Sequence, residues 1–391
     1  MTAISEAQAE RAAAARATVA VPYQRPWLPP ADAVLAYYRR AEDVRHYSNG
    51  GPCARLLEER ISKRLGGAAC LSFANCTQAI STALTAVAGR PGPEDARLVA
   101  TPAYTFTATA CAIVAAGFEP LFVDVEPAGW QLDPAALEAA LAERPGAVAA
   151  VLACSTYGTP GTAEQLAAWT ASAARHGVPL LVDSAAAFGA ADDAGVPTGA
   201  RGATELFSFH ATKPFAIGEG GLLATPDAEL ERAARSLQNF GLDPVTRLST
   251  AIGVNAKLSE LAAATGLAML DAYDEQLGAR RERVAALRSG LDGAPLEWQR
   301  GAGASTWQVV PVVAADVVTR DAIMARAEAA GVQVRSPFDP PLHGHPAFAG
   351  AARGPLPVSE DLARRTVALP MANDLTADEI AQVVAVVERA L

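Results

Sequence analysis

Charge is scarce in this 391-residue chain, at 19%, and the balance is acidic, with 42 Asp and Glu against 32 Lys and Arg for a net charge of −10. That shortage of positive charge argues against nucleic acid or an anionic membrane surface as a partner, since both are recognised by basic patches. There are five cysteines, Cys53, Cys70, Cys76, Cys111 and Cys154, odd in number and without C-x-x-C spacing. They read as small buried residues in a reducing compartment, not as a disulfide or zinc framework. The five histidines show no H-E-x-x-H pattern, so no metal site is expected. No apolar run is long enough to span a bilayer. The Ala-rich stretch 1–19 mixes both signs of charge and lacks the apolar centre of a signal peptide, which points to a helical extension of a cytoplasmic protein. Internal repeats and low-complexity linkers are missing too. Against these absences stands a hydrophobic content of 51%, enough for a globular protein with a large core and length for two domains.

One lysine has an unusual setting. The apolar run 206–209 enters the turn Ser208-Phe209-His210-Ala211-Thr212-Lys213, and a glycine-rich hairpin returns the chain as Leu222-Leu223-Ala224. A lysine held between apolar strands is driven toward the neutral amine, the form that Schiff-base chemistry with an aldehyde cofactor uses. A lone turn lysine is ordinarily solvated; a carboxylate upstream changes the reading. Asp183 ends the apolar run 180–182, which reads as a buried parallel strand, and open α/β sheets bind ligands at that end. Pyridoxal 5'-phosphate (PLP) needs such a pair, a lysine to carry it and an acid to keep its pyridine nitrogen protonated. A strand-end Asp by itself is often only a helix cap.

The rest of the chain supplies a frame. Residues 22–30 form a proline-stiffened arm carrying Tyr23 and Trp27, expected to pack against a neighbour. The turn 46–52 precedes an amphipathic helix marked by Leu56, Leu57, Ile61 and Leu65. Ala74-Asn75-Cys76-Thr77-Gln78 is a small-residue turn opening a helix, suited equally to holding a phosphate on free N–H groups or to an ordinary N-cap at Asn75 or Thr77. Strand-like runs at 71–73, 98–102, 121–125 and 148–154 alternate with helices, one of them over 162–176. This predicts an α/β fold with a mostly parallel, doubly wound sheet. A helix over 229–237 stops at Asn239-Phe240-Gly241. A long helix opening in 253–261 and reaching about residue 287 leads to a compact α+β module, with strands at 307–313 and 332–335 and helices over 320–330 and 376–391. The expected organisation is an extension over 1–20, a large domain over 21–285 and a smaller C-terminal domain over 286–391.

Assembled, these motifs resemble the sugar aminotransferases of the DegT/StrS type, a PLP family of fold type I. The likeness runs in order from Arg25 to Leu391. It rests on Ser-Phe-His-Ala-Thr-Lys at 208–213 followed by Gly-Glu-Gly-Gly, on Gly-x-Asn-x-Lys-x-Ser-Glu-Leu at 253–261, and on Leu-Pro-Val-Ser-Glu-Asp-Leu-Ala-Arg-Arg at 356–365 with Leu-Pro-Met after it. A Ser-Asn-x-Gly-Pro turn is also shared, carrying an extra glycine at Asn49-Gly50-Gly51-Pro52. The resemblance implies that Lys213 holds PLP as a Schiff base and then moves a proton between the substrate Cα and the cofactor C4′. It implies Asp183 on the pyridinium nitrogen, the ring of Phe106 stacked on the cofactor, Cys76 and Thr77 in the phosphate turn, and a hydroxyl from Ser208. Asn255 matches an asparagine that reaches the phosphate of the neighbouring subunit, which implies a homodimer with shared sites. Two positions depart from the pattern. Asp183-Ser184-Ala185-Ala186 stands where the family usually has Asp-Ala-Ala-Gln or Asp-Ala-Ala-His, so Ser184 or a water must substitute for the missing donor, or the cofactor's electronics differ. Cys76 stands where glycine is usual.

The implied reaction is amino transfer. An amino acid, L-glutamate first among them, converts PLP to pyridoxamine 5'-phosphate, which aminates a keto sugar, above all a nucleotide-linked keto-deoxy sugar. The opening at 25–30 resembles members acting on 4-keto-6-deoxy sugars. Ala186 keeps open a PLP-dependent elimination, substitution or decarboxylation of an amino acid. A non-catalytic regulator or scaffold is the third reading, opposed by the retained Asp183, Lys213 and Asn255. His343 is a candidate substrate contact, with a satisfied loop histidine as the alternative.

Overall fold

The computed structural model describes residues 19–92 and 97–391; most of the expected extension over residues 1–20 lies outside them. Seven strands build the main sheet in the first part of the chain: β1 (Ala69–Phe73), β2 (Leu98–Pro102), β3 (Glu119–Val123), β4 (Val148–Cys154), β5 (Leu180–Asp183), β6 (Thr204–Ser208) and β7 (Gly221–Thr225). Four more follow: β8 (Leu296–Trp298), β9 (Val310–Ala314), β10 (Ala352–Arg353) and β11 (Thr366–Leu369). The large sheet has the order β1-β7-β6-β5-β4-β2-β3-β10, and only β7 runs antiparallel to its neighbours. The mostly parallel α/β sheet expected from the alternating pattern is therefore the observed one. Helices cover both faces, which is why β4 is buried along its whole length and reads as an unbroken apolar run.

Strand order reverses beside β2, whose neighbours are β3 on one side and β4 on the other. A crevice opens at such a reversal, outside the carboxyl ends of the strands. The segments leaving β2, β4 and β5 are those that carry Phe106, Cys154 and Asp183. The sequence thus sets its chemistry at the place where the topology leaves room.

A second, antiparallel sheet of order β11-β9-β8 has its own core of Val310, Val312, Val367, Leu369, Val383 and Val387. The helix Glu260–Gly290 spans both cores, burying Ala263, Leu267 and Tyr273 in one and Val284 and Leu287 in the other. Two segments tie the sheets together. Val21, just ahead of the proline-rich arm, bridges Val332 and sits in the small core, while β10 adds to the edge of the large sheet beside β3.

The long helix begins later than its sequence suggests. Ser259 caps it by accepting the Ala262 N–H, and the preceding residues are extended, with Asn255 bridging Asn239 and Lys257 bridging Phe73. Backbone pairing with the sheet edge outcompetes helix propensity there. Strand β3 likewise stops at Val123, because the Asp124 carboxylate turns away to accept the N–H groups of Val358 and Ser359 at 3.0 and 2.8 Å. Among the described residues, no helix is long and apolar enough to cross a membrane.

Candidate active site

Asp183 ends β5 and is 4% exposed. Its Oδ2 accepts the Thr109 hydroxyl at 2.7 Å and its Oδ1 accepts the Ala185 N–H at 3.1 Å. Burial raises its pKa above the usual carboxylate range, opposed by those two donors and by the charge of Lys213. Lys213 lies in the turn after β6, the next strand in the sheet, and is half-buried. Burial lowers its pKa, opposed first by Asp183 and then by Cys76 and Cys154. Its Nζ donates to Gln308 Oε1 at 3.0 Å. The Lys–Asp pair anticipated from the two strand ends is therefore close enough to interact.

The turn at Cys76 faces the same place. The helix Cys76–Ala88 is capped by Asn75, whose side chain accepts the Gln78 N–H at 2.9 Å. The N–H groups of Cys76 and Thr77 have no acceptor within the helix and carry its positive end. The N-cap reading at Asn75 is the observed one, and the two N–H groups leave room for an anion as well. Ser208 pairs with Gly221 across the β6–β7 ladder, and a Cβ on Gly221 would sit 2.6 Å from the Asn75 carbonyl carbon and 2.7 Å from Cys76 N. Glycine there brings the strand end onto the phosphate-type turn, with Ser208 beside it. Ser208 Oγ also accepts the His210 N–H at 3.3 Å.

Phe106 precedes the helix Thr107–Ala115 and is 61% exposed, the opposite of a core phenylalanine. Thr109, three residues on, binds Asp183, so the helix that follows Phe106 supplies a hydroxyl to the carboxylate. Thr109 was missed by sequence reasoning although it stands in the same Tyr-Thr-Phe-Thr-Ala-Thr stretch. Gln308 was missed as well, since nothing in its local sequence marks it.

Three other residues fall in less expected places. Ser184 cannot stand in for the missing donor at Ala186. It is fully buried and donates to Glu205 Oε2 at 2.6 Å, inside a buried ion pair of Glu205 with Arg201. Successive strand residues point to opposite faces, which takes Ser184 away from the side of Asp183. Asn255 is exposed on the extended segment whose next residue, Ala256, accepts the Ala74 N–H at 2.7 Å. His343 Nε2 pairs with Glu360 at 3.2 Å, while its buried Nδ1 has no partner among the described residues.

These residues fit PLP. A buried carboxylate, an amine of lowered pKa, an exposed ring and a glycine-lined turn with free N–H groups are the complement of a pyridinium, an aldehyde, an aromatic face and a phosphate. Sheet order, crevice and Lys–Asp pair define a PLP-dependent enzyme of fold type I. A model of the "DegT/DnrJ/EryC1/StrS aminotransferase family" matches residues 31–388, and the chain belongs to that family. It is an aminotransferase, and PLP is its cofactor. Among relatives, a UDP-2-acetamido-2-deoxy-3-oxo-D-glucuronate aminotransferase of Pseudomonas aeruginosa is 32% identical over 82% of this chain and 86% of its own. The structure of DesI in the presence of its TDP-sugar product is 34% identical, with a TM-score of 0.84 over 94% of this chain and 92% of that one. A DegT DnrJ EryC1 StrS aminotransferase from Brucella abortus is 28% identical, with a TM-score of 0.82 over 92% and 95%.

Proposed function

We propose that this aminotransferase moves an amino group from an amino acid, L-glutamate foremost, to a keto sugar carried by a nucleotide. The half-buried Lys213 beside the buried Asp183 carries the reading. It is supported by relatives whose names specify keto-sugar or TDP-sugar chemistry. PLP supplies the electron sink for the carbon that loses its proton. The chain supplies the rest. Cys76 N–H, Thr77 N–H and the Ser208 hydroxyl hold the phosphate, Phe106 covers the ring face, and Asp183 holds the charge of the ring nitrogen. Lys213 takes and returns the proton, a task for which a lowered pKa suits neutral pH.

The site is completed, in this reading, by a second copy of the chain. Asn255 is exposed beside Ala256, whose carbonyl accepts the Ala74 N–H, and in this reading it reaches the phosphate held by the partner subunit. The same exposed stretch carries Val245, Leu248 and Ile252, apolar surface that a partner would cover. Five free cysteines accord with a cytoplasmic enzyme.

The test is spectroscopic. Purified protein should carry a visible band from lysine-bound PLP that L-glutamate bleaches, and nucleotide-linked keto sugars should restore it while gaining an amine. Lys213→Ala should lose the band and at least about 10²-fold in rate. A band indifferent to every amino acid would overturn the proposal.

A further inference from the structure

Lys213 has a neutral hydrogen-bond partner from outside its own turn, and that partner is held with unusual care. Gln308, which accepts from Lys213 Nζ at 3.0 Å, follows Trp307, a non-glycine residue with φ of 54°. L-residues adopt this left-handed conformation only where the surroundings impose it. Here they do so at three points. Ser305 Oγ accepts the Trp307 N–H at 3.1 Å, the Trp307 carbonyl accepts Arg280 Nη1 at 2.8 Å, and the Gln308 carbonyl accepts Gln24 Nε2 at 3.2 Å.

Arg280 is the costly part of this clamp. It is 7% exposed, and among the described residues no carboxylate pairs with it, so burial lowers its pKa to about 10. A guanidinium buried against a single carbonyl contributes little to stability, because desolvation outweighs one neutral acceptor. What it does accomplish is to fix the carbonyl next to Gln308.

We propose that Gln308 is a further catalytic residue, which holds the Lys213 amine in place whenever that amine is not bonded to the cofactor, with Arg280 and Gln24 as its positioning residues. This rests on the role given to Lys213 above. An amine that carries a proton must alternate between amine and ammonium, and both forms keep an N–H for a neutral acceptor. A carboxylate at this position would hold the ammonium and slow release of the proton, and an apolar side chain would let the amine swing away. An amide oxygen does neither. The other titratable groups around the amine, Asp183, Cys76 and Cys154 with the pocket-lining Arg25 and Arg280, come from different elements and stay unchanged in both Gln308 variants.

The experiment compares wild type with Gln308→Leu and Gln308→Glu in the full chain. With the cofactor removed, acetylation of Lys213 by an amine-reactive ester is followed against pH by peptide mass spectrometry. Loss of the acceptor destabilises the ammonium, so Gln308→Leu should move the midpoint down by at least about 0.5 pH unit, and Gln308→Glu should move it up. With PLP restored, the single-turnover rate with L-glutamate should fall at least about tenfold in Gln308→Leu, with apparent binding of glutamate unchanged. Arg280→Met should lower the rate by less, while the loss of a cation lining the same pocket as Lys213 works against any downward move of its midpoint. If Gln308→Leu does not fold, Gln308→Met keeps length and bulk for the same measurements. An unmoved midpoint with an unmoved rate overturns the role. Should wild type itself ignore glutamate, the donor assignment fails, and the acetylation midpoint still decides the case of Gln308.

Discussion

Thr109 donates its hydroxyl to Asp183 across 2.7 Å, joining the helix behind Phe106 to the end of β5. The bond works against burial, which pushes the carboxyl toward its neutral form, and so helps to keep a charge available for the pyridine nitrogen. Thr109→Val keeps the shape and removes the donor. The Asp183 pKa should then rise further, and the acid limb of the glutamate half-reaction should move to higher pH, by up to about one unit. Stopped-flow rates between pH 5 and 9 check this, with Thr109→Ser expected to restore the wild-type profile.

The same raised pKa fixes the sign of a stability effect in protein stripped of PLP. A carboxyl whose folded pKa lies above its unfolded value contributes stability that is present below the unfolded value and lost as pH rises through the folded one. Urea midpoints of the stripped protein should therefore fall more steeply above pH 4 in Thr109→Val than in wild type.

Gly221→Ala is a test of close packing at the phosphate-type turn. The new methyl would meet backbone, 2.6 Å from the Asn75 carbonyl carbon and 2.7 Å from Cys76 N, which cannot give way as a flexible side chain does. A loss of about 1–3 kcal/mol is expected, with weaker PLP retention. Thermal unfolding and a cofactor-release assay would measure the two; a variant as stable and as yellow as wild type would contradict the packing argument.

Glu260 belongs to the Ser-Glu-Leu motif, and its role is structural. It is fully buried and accepts the N–H groups of Cys53 at 2.6 Å and Ala54 at 3.2 Å, fastening the first turn of the helix Pro52–Arg64 to the long helix. Glu260→Ala leaves two buried donors unpaired and should cost about 1–3 kcal/mol for each. Denaturant titration reports the total, and Glu260→Gln should recover part of it.

Cys154 lies beside Asp183, and burial pushes its thiol up to about 12; the Cys76 thiol is raised as well. Thiolate is the reactive form, so neither should be alkylated by iodoacetamide at pH 8 until the protein is unfolded. Peptide mass spectrometry before and after denaturation reads this directly.

Local sequence determined a good deal. Apolar runs of strand length closed by Asp183 and by the turn before Lys213 gave the strands and the pair. Small residues with a cap at Asn75 marked a helix start, and Thr162 with Gln165 or Thr376 with Glu379 marked others that are full capping boxes. These features depend on periodicity and on contacts within a few residues, which a sequence displays. Tertiary structure alone decided the others. Thr109 is 74 positions from Asp183, Lys213 is 95 from Gln308, and Asp124 is 235 from the Ser359 N–H that it accepts. A side chain whose partner lies that far along the chain carries no local mark, and only the packing of sheet, arm and long helix sets its direction. Ser184 shows the converse. Its hydroxyl looked available beside Asp183, and the two-residue period of the strand turned it into the Glu205–Arg201 ion pair instead.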